Sequence, residues 1–287
     1  MTDFRAVGRE LSNWGRWGAD DELGTLNLIT DARVAAAAAL VRTGRVFDLG
    51  YPLGADGPQT GLGGRVNPVH LMSMTGQSSF PDGGGFTDDF IFMPLQCATQ
   101  WDGLAHVFYD ETCYNGIPAS MITARGAARL SIDRLARGVI GRGVLLDIAR
   151  LHGVDCLTAD HGIGPGDILL VRTGWTRRFT EGSADEFMGE EPGLTLACAR
   201  WLRERDVAAL AVDNWAVEKY PSGDPNARLP VHYVLIRDLG MTLGEMFDLE
   251  ALGDACATDS VYDFLLCAPA LKITNGVGTP LNPLAVR

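Results

Sequence analysis

Apolar and polar positions along this chain repeat with two periods, and Gly, Pro and Asn mark the breaks between them. The alanine-rich run 31–42, opened by Thr30 as an N-cap and ended by Gly44, predicts a helix. In 194–205, Leu196, Ala199 and Leu202 form one stripe with Arg200, Arg203 and Glu204 outside it, so a second, amphipathic helix is expected. Shorter helices are predicted from the Ser131 cap to 137 and over 230–237, the latter closed by Gly240. Runs at 46–53, 143–148, 166–175, 207–212 and 262–268 are short and apolar, which is the pattern of strands buried on both faces. Asn115-Gly116 predicts a tight turn. The glycine-rich, polar stretches 13–27, 55–68 and 77–89 are expected to be loops, the last two rimming a site or lying at a subunit contact.

Short buried strands with few, short helices predict an α/β fold in which strands outnumber helices, rather than a doubly wound sheet. No repeat or linker interrupts the chain, so a single domain over 46–287 is expected behind an N-terminal extension, 1–45. Its 287 residues, 46% of them hydrophobic, suffice for a substantial core. A net charge of −12 argues against nucleic acid or an anionic membrane as a partner, since either needs basic clusters. The longest apolar run, 34–41, is too short to cross a bilayer. No basic segment followed by an apolar one opens the chain, and its six cysteines form no Cys-x-x-Cys pair; both features predict a cytoplasmic protein with reduced thiols.

The chemistry concentrates in Met93-Pro94-Leu95-Gln96-Cys97-Ala98-Thr99-Gln100-Trp101-Asp102-Gly103-Leu104-Ala105-His106. Read as a strand, this stretch puts Gln96, Gln100 and Asp102 on one face and Cys97, Thr99 and Trp101 on the other, with His106 just past the turn at Gly103. Such a polar cluster is costly to bury unless something pairs with it. A cation held by oxygen and nitrogen ligands would pair with it, and so would the partners of an ordinary polar strand edge. Asp213 and Glu218, after the strand 207–212, are either functional or caps for the following loop.

The same stretch resembles the signature of the cyclase family of metal-dependent hydrolases, which includes kynurenine formamidases and isatin hydrolases: His-x-Gly-Thr-His-x-Asp-x-Pro-x-His. Gln96 and Gln100 stand at the two metal-binding histidines, Asp102 at the metal-binding aspartate and His106 at the acid–base histidine. A glutamine-bearing branch similar to the trans-dienelactone hydrolases fits this departure best. The resemblance extends to Trp17-Gly18 through Asn27, to the strand 46–53, whose end approaches the active site in the family and makes Tyr51 a candidate substrate contact or else a core residue, to Gly166-Asp167 through Trp175, and to His232 and Glu245, which fall where the family has a further histidine and a metal-binding glutamate. It implies the swivelling β/β/α fold, zinc or manganese held by Gln96, Gln100, Asp102, His232 and Glu245, and a homodimer or larger oligomer acting on a small molecule. The implied reaction is hydrolysis of a lactone, ester or amide by a metal-activated water with His106 as acid and base. Two rivals remain at this point: a ring-closing or lyase reaction in a polyketide-type pathway, and a binding protein that has lost its metal.

Overall fold

The computed structural model describes residues 3–77, 79–135, 138–151 and 162–287. Helix α1 (Phe4–Leu11) and the predicted α2 (Asp31–Ala38), capped by Thr30, precede β1 (Val46–Asp48). A hairpin of β2 (Val69–Met74) and β3 (Asp88–Phe92) leads to β4 (Gln100–Asp102) and a small pair, β5 (Ile122–Thr123) and β6 (Gly126–Ala127). Then come β7 (Ile140–Asp147), β8 (Ile168–Arg172), α3 (Ala184–Phe187), α4 (Cys198–Glu204) and β9 (Ala209–Val212). Helix α5 (Pro230–His232) runs on through a π-helical segment to Asp238 and delivers the chain to β10 (Thr242–Glu245). Helix α6 (Glu250–Asp259) and strands β11 (Asp263–Cys267), β12 (Gly278–Pro280) and β13 (Leu284–Val286) finish it.

One nine-stranded mixed sheet has the order β1-β13-β11-β7-β8-β9-β10-β4-β12. Strands β7 to β10 run parallel at its centre, and antiparallel strands extend both flanks. The fold is thus strand-rich α/β, as the apolar runs predict. Those runs lack polar alternation because both faces are covered. Val144, Leu146, Leu169, Val171, Leu210 and Val212 enter a core with α1 and α4, while Leu145, Ile168, Leu170, Ala209 and Ala211 enter a second core with α6. Among the described residues no helix is long and apolar enough to cross a membrane.

Several expected elements are shorter than predicted, each for a local reason. The helix over 194–205 starts only at Cys198, because Leu194 gives its N–H to Val217 and its carbonyl to Lys219. The strand from 46 stops at Asp48, whose side chain accepts the Gly50 N–H at 3.0 Å. The helix from Ser131 is a 3-10 turn, Ile132–Leu135, and residues 136 and 137, like His152 and His161, lie outside the described residues. Asn115 and Gly116 adopt φ values of 58° and 74°, the double left-handed turn that their sequence predicts. The β2–β3 hairpin was not expected. It stands away from both cores with every residue of β3 exposed, and His70 on β2 pairs with Asp89 at 2.7 Å.

Candidate metal centre

Strands β4 and β10 are antiparallel neighbours whose register sets Glu245 opposite Gln100 and Leu243 opposite Asp102. Pleating sends Gln100, Asp102 and Glu245 to the same face. Trp101, between them, points to the other face against Phe247, with its indole N–H donating to the Ala268 carbonyl at 2.8 Å. Gln100 Nε2 donates to Glu245 Oε2 at 2.7 Å and lies 3.4 Å from Asp102 Oδ1. His232, at the start of the α5 segment, brings Nε2 to 3.3 Å from Glu245 Oε1 and 4.0 Å from Asp102 Oδ2. One ligand atom each from Asp102, His232 and Glu245 therefore fits within 4.8 Å, and all three residues are buried. Thr99 holds the two strands together at the entrance to β4, donating to the Met246 carbonyl at 2.5 Å while accepting the Tyr51 N–H at 2.8 Å.

Glu218 fixes the histidine. It accepts the Val231 and His232 N–H groups at 3.1 and 2.9 Å, donors that the first turn of a helix leaves unpaired, and Pro230 heads that turn without an N–H of its own. Its Oε1 also meets His232 Nδ1 at 2.7 Å, which leaves Nε2 facing Asp102 and Glu245. Burial opposes a charge on His232, but hydrogen bonds to Glu218 and Glu245 outweigh it and carry the imidazole up to about 10. Burial, aided by Asp102, pushes the Glu245 carboxyl up to about 7. Three buried carboxylates, Asp102, Glu218 and Glu245, thus surround one imidazole. Asp102 Oδ2 and Gln100 Oε1 are buried with no hydrogen-bond partner among the described residues. Excess negative charge and orphaned oxygens in one place are what a divalent cation would satisfy, so the donor set fits the implied metal.

The Cyclase family model matches residues 47–219, more than half of the chain. The chain belongs to the cyclase family. It is 39% identical to a protein whose crystal structure is that of a novel cyclase, with 96% of this chain and 99% of that one covered and a TM-score of 0.88. An isatin hydrolase from Roseibium aggregatum is 28% identical over 133 residues, 45% of this chain; the match spans 48% of that protein's length. Isatin hydrolase A from Ralstonia solanacearum shares the fold with a TM-score of 0.65 at 22% identity, over 90% of this chain and 98% of that one. The family match ends before His232 and Glu245, so in this cyclase-family chain it is the folded sheet that joins them to the signature.

Of the residues singled out in the sequence, Gln100, Asp102, His232 and Glu245 come together. His106 adjoins them: its N–H closes a turn on the Gly103 carbonyl at 2.9 Å, and its Nε2 lies 3.6 Å from Asp102 Oδ1. Burial lowers its pKa against the pull of Asp102. Gln96 does not lie on a strand, because β4 begins only at Gln100. Pro94 cannot donate to a ladder, and the Cys97 carbonyl is taken by the Gln59 amide at 2.9 Å. The Gln96 amide instead lies over Gly278, the residue paired with Asp102, where an added Cβ would come within 2.3 Å of Nε2. That Nε2 is buried without a partner among the described residues. Tyr51 is buried next to the site strand: its N–H bonds Thr99, its ring packs against Phe179 and Phe187, and its hydroxyl bonds Thr176 Oγ1 at 3.0 Å. Asp213 resolves as a cap, accepting the Thr173 and Gly174 N–H groups. Glu218 resolves the other way, as the support of His232; its role was hidden because the carboxylate acts on a helix start 13 residues away across a loop.

Proposed function

We propose that this chain is a metal-dependent hydrolase that opens a lactone, ester or amide of a small molecule. The observation that carries the proposal is the buried Asp102–His232–Glu245 set, with ligand atoms within 4.8 Å and the orphaned Gln100 and Asp102 oxygens beside it. The similarity to isatin hydrolases supports a hydrolytic reaction. Asp102, His232, Glu245 and Gln100 would hold the ion, zinc or manganese, with Gln96 at the edge of the set. Bound there, a divalent cation supplies an acidified water and a polarised carbonyl. His106, beside Asp102 and partly open to solvent, takes the proton of the attacking water and returns it to the leaving group. Glu218 keeps the His232 ring oriented, and the buried face around the cluster excludes bulk water. A metal-free binding protein would have no use for three carboxylates packed around one imidazole.

Metal analysis of the protein purified without chelator should find a divalent ion, and the product should weigh one water more than its substrate. Protein that neither retains nor takes up an ion would end this reading. A product one water lighter would turn it to ring closure instead.

The working form is a homo-oligomer in which the β2–β3 hairpin docks on a second copy. Val69, Leu71, Phe90 and Phe92 form one wholly apolar and exposed face, and a two-stranded ribbon is marginal by itself. The hairpin continues through Met93 into Gln96 and Gln100, so its contact is contiguous with the metal centre. Phe92→Asp should shift the sedimentation coefficient to that of a monomer; an unchanged value would place the interface elsewhere.

A further inference from the structure

Glu218 follows a strained residue. Val217, buried and β-branched, has a φ of 58°, in the left-handed region that such side chains avoid. Its neighbours close a three-residue turn across it, with the Glu218 N–H donating to the Ala216 carbonyl. A backbone in this state persists only where its surroundings over-determine it.

Here the surroundings are one segment, 191–194, stitched along 214–220. Glu191 and Tyr220 exchange N–H to carbonyl bonds at 2.8 and 3.1 Å, while Leu194 donates to Val217 at 3.0 Å and accepts from Lys219 at 2.9 Å. The Asn214 amide donates to the Pro192 carbonyl at 2.8 Å. Gly193 lies so close to the turn that an added Cβ would come within 2.4 Å of the Glu218 carbonyl carbon. The Glu191 side chain completes the contact. It is buried, and its two oxygens accept the Trp215 and Ala216 N–H groups at 2.9 Å each, the two peptides that lead into the turn. Burial pushes this carboxyl up to about 9. Packing alone does not call for a carboxyl at such a place; two backbone donors at the mouth of a strained turn do.

We propose that Glu191 is a positioning residue for the metal centre: by clamping Trp215 and Ala216 it enforces the left-handed turn at Val217, and that turn aims the Glu218 carboxylate at His232. Glu218 bonds the Val231 and His232 N–H groups and the ring Nδ1, so the contacts run without a break from Glu191 to the imidazole of the ligand set. For the ion that this imidazole would hold, the proposal rests on the metal-dependent reading above; for the positioning it does not.

The test compares wild type, Glu191→Gln, the double variant Glu191→Gln with Val217→Gly, and Gly193→Ala. Each is measured by amide hydrogen exchange as metal-free protein and by zinc affinity in competition with a chelator. The Gln amide sets an NH2 against one of the two backbone donors. Exchange at Val231 and His232 should therefore quicken at least about tenfold while the β7 and β8 amides keep their rates, and zinc should bind roughly tenfold more weakly. Glycine takes the left-handed conformation without strain, so adding Val217→Gly should restore most of both. A general loss of stability would instead deepen, because that change also strips a buried side chain from the core. Gly193→Ala displaces the turn with Glu191 intact and should reproduce the loosening, which keeps the test decisive if Glu191→Gln does not fold. Unchanged exchange at Val231 and His232, quicker exchange spread evenly over the sheet, or a double variant no better than Glu191→Gln would each overturn the proposal. If wild type takes up no zinc, the metal reading falls, while exchange at Val231 and His232 still decides the role of Glu191.

Discussion

Two ionic clusters sit on the same sheet, one reaching from buried Arg172 and Asp147 out to the surface and the other wholly buried, and they differ in charge balance. At the ends of β7 and β8, Arg172 binds Asp147 at 2.7 Å and grips both oxygens of Glu250 at 2.9 and 2.8 Å. Arg150 adds a bond to Asp147 at 2.8 Å and another to Asp254, and Arg177 bonds Glu250 at 2.8 Å. Three arginines thus face three carboxylates, and no side-chain atom of the group appears among the buried orphans. Around β4 and β10, by contrast, three carboxylates share one imidazole, and two oxygens have no partner among the described residues. The first cluster is complete without any visitor and serves as scaffold. The second is complete only with a cation. Arg172 and Asp147 are as buried as the carboxylates of the second cluster, so at equal burial it is the unpaired remainder that separates structure from chemistry.

That contrast can be broken by exchanging what each cluster lacks. The largest effect is expected from Asp102→Asn, which removes a charged donor and exceeds the roughly 10–100-fold loss of affinity that an outer-shell change causes. Metal analysis after gel filtration should find the ion gone while the fold survives by circular dichroism. His106→Ala should keep the ion but lose about two to four orders of magnitude in turnover. Equal metal loss in these two variants would show that His106 is a ligand rather than an acid and base.

In the balanced cluster, Arg172→Met should cost about 3–5 kcal/mol in urea unfolding, since it strands buried carboxylates, and should leave metal stoichiometry as it was. A loss of metal there would erase the distinction between the clusters. The smallest effect is expected at Glu218, where Gln keeps the shape but loses the charge. Metal affinity should fall by roughly 10–100-fold, read by competition with a chelator, with little change in unfolding midpoint. A drop in stability with intact affinity would make Glu218 a helix cap and nothing more.

The glutamines of the signature show how far sequence reasoning reaches. Gln100 and Asp102 are two residues apart on one strand, so their shared face follows from the pleat alone. Gln96 was placed on that face by the same period, yet the chain leaves strand geometry before it. It reaches the face by another route, over the bare Cα of Gly278. Alternation is reliable only while the ladder lasts, and Pro94 together with the Gln59 clamp ends the ladder early. For Tyr51 the sequence supplies only a location, the end of a strand, whereas the direction of its ring is set by Thr176, Phe179 and Phe187, which lie more than 120 residues along the chain.

By itself, then, the sequence determined the buried strands, the Thr30 cap, the Asn115-Gly116 turn and the identity of Asp102, His106, His232 and Glu245 as candidates. These follow from local periodicity, backbone preference or motif, and need no knowledge of distant neighbours. Only the tertiary structure decided that β10 lies beside β4 in the register that sets Glu245 against Gln100, and that Glu218 holds the ring of His232. Strand register joins Gln100 to Glu245, 145 positions apart, and loop closure joins Glu218 to His232 across 14. They are fixed by the fit of two whole cores, a property of the folded chain that no short window of sequence contains.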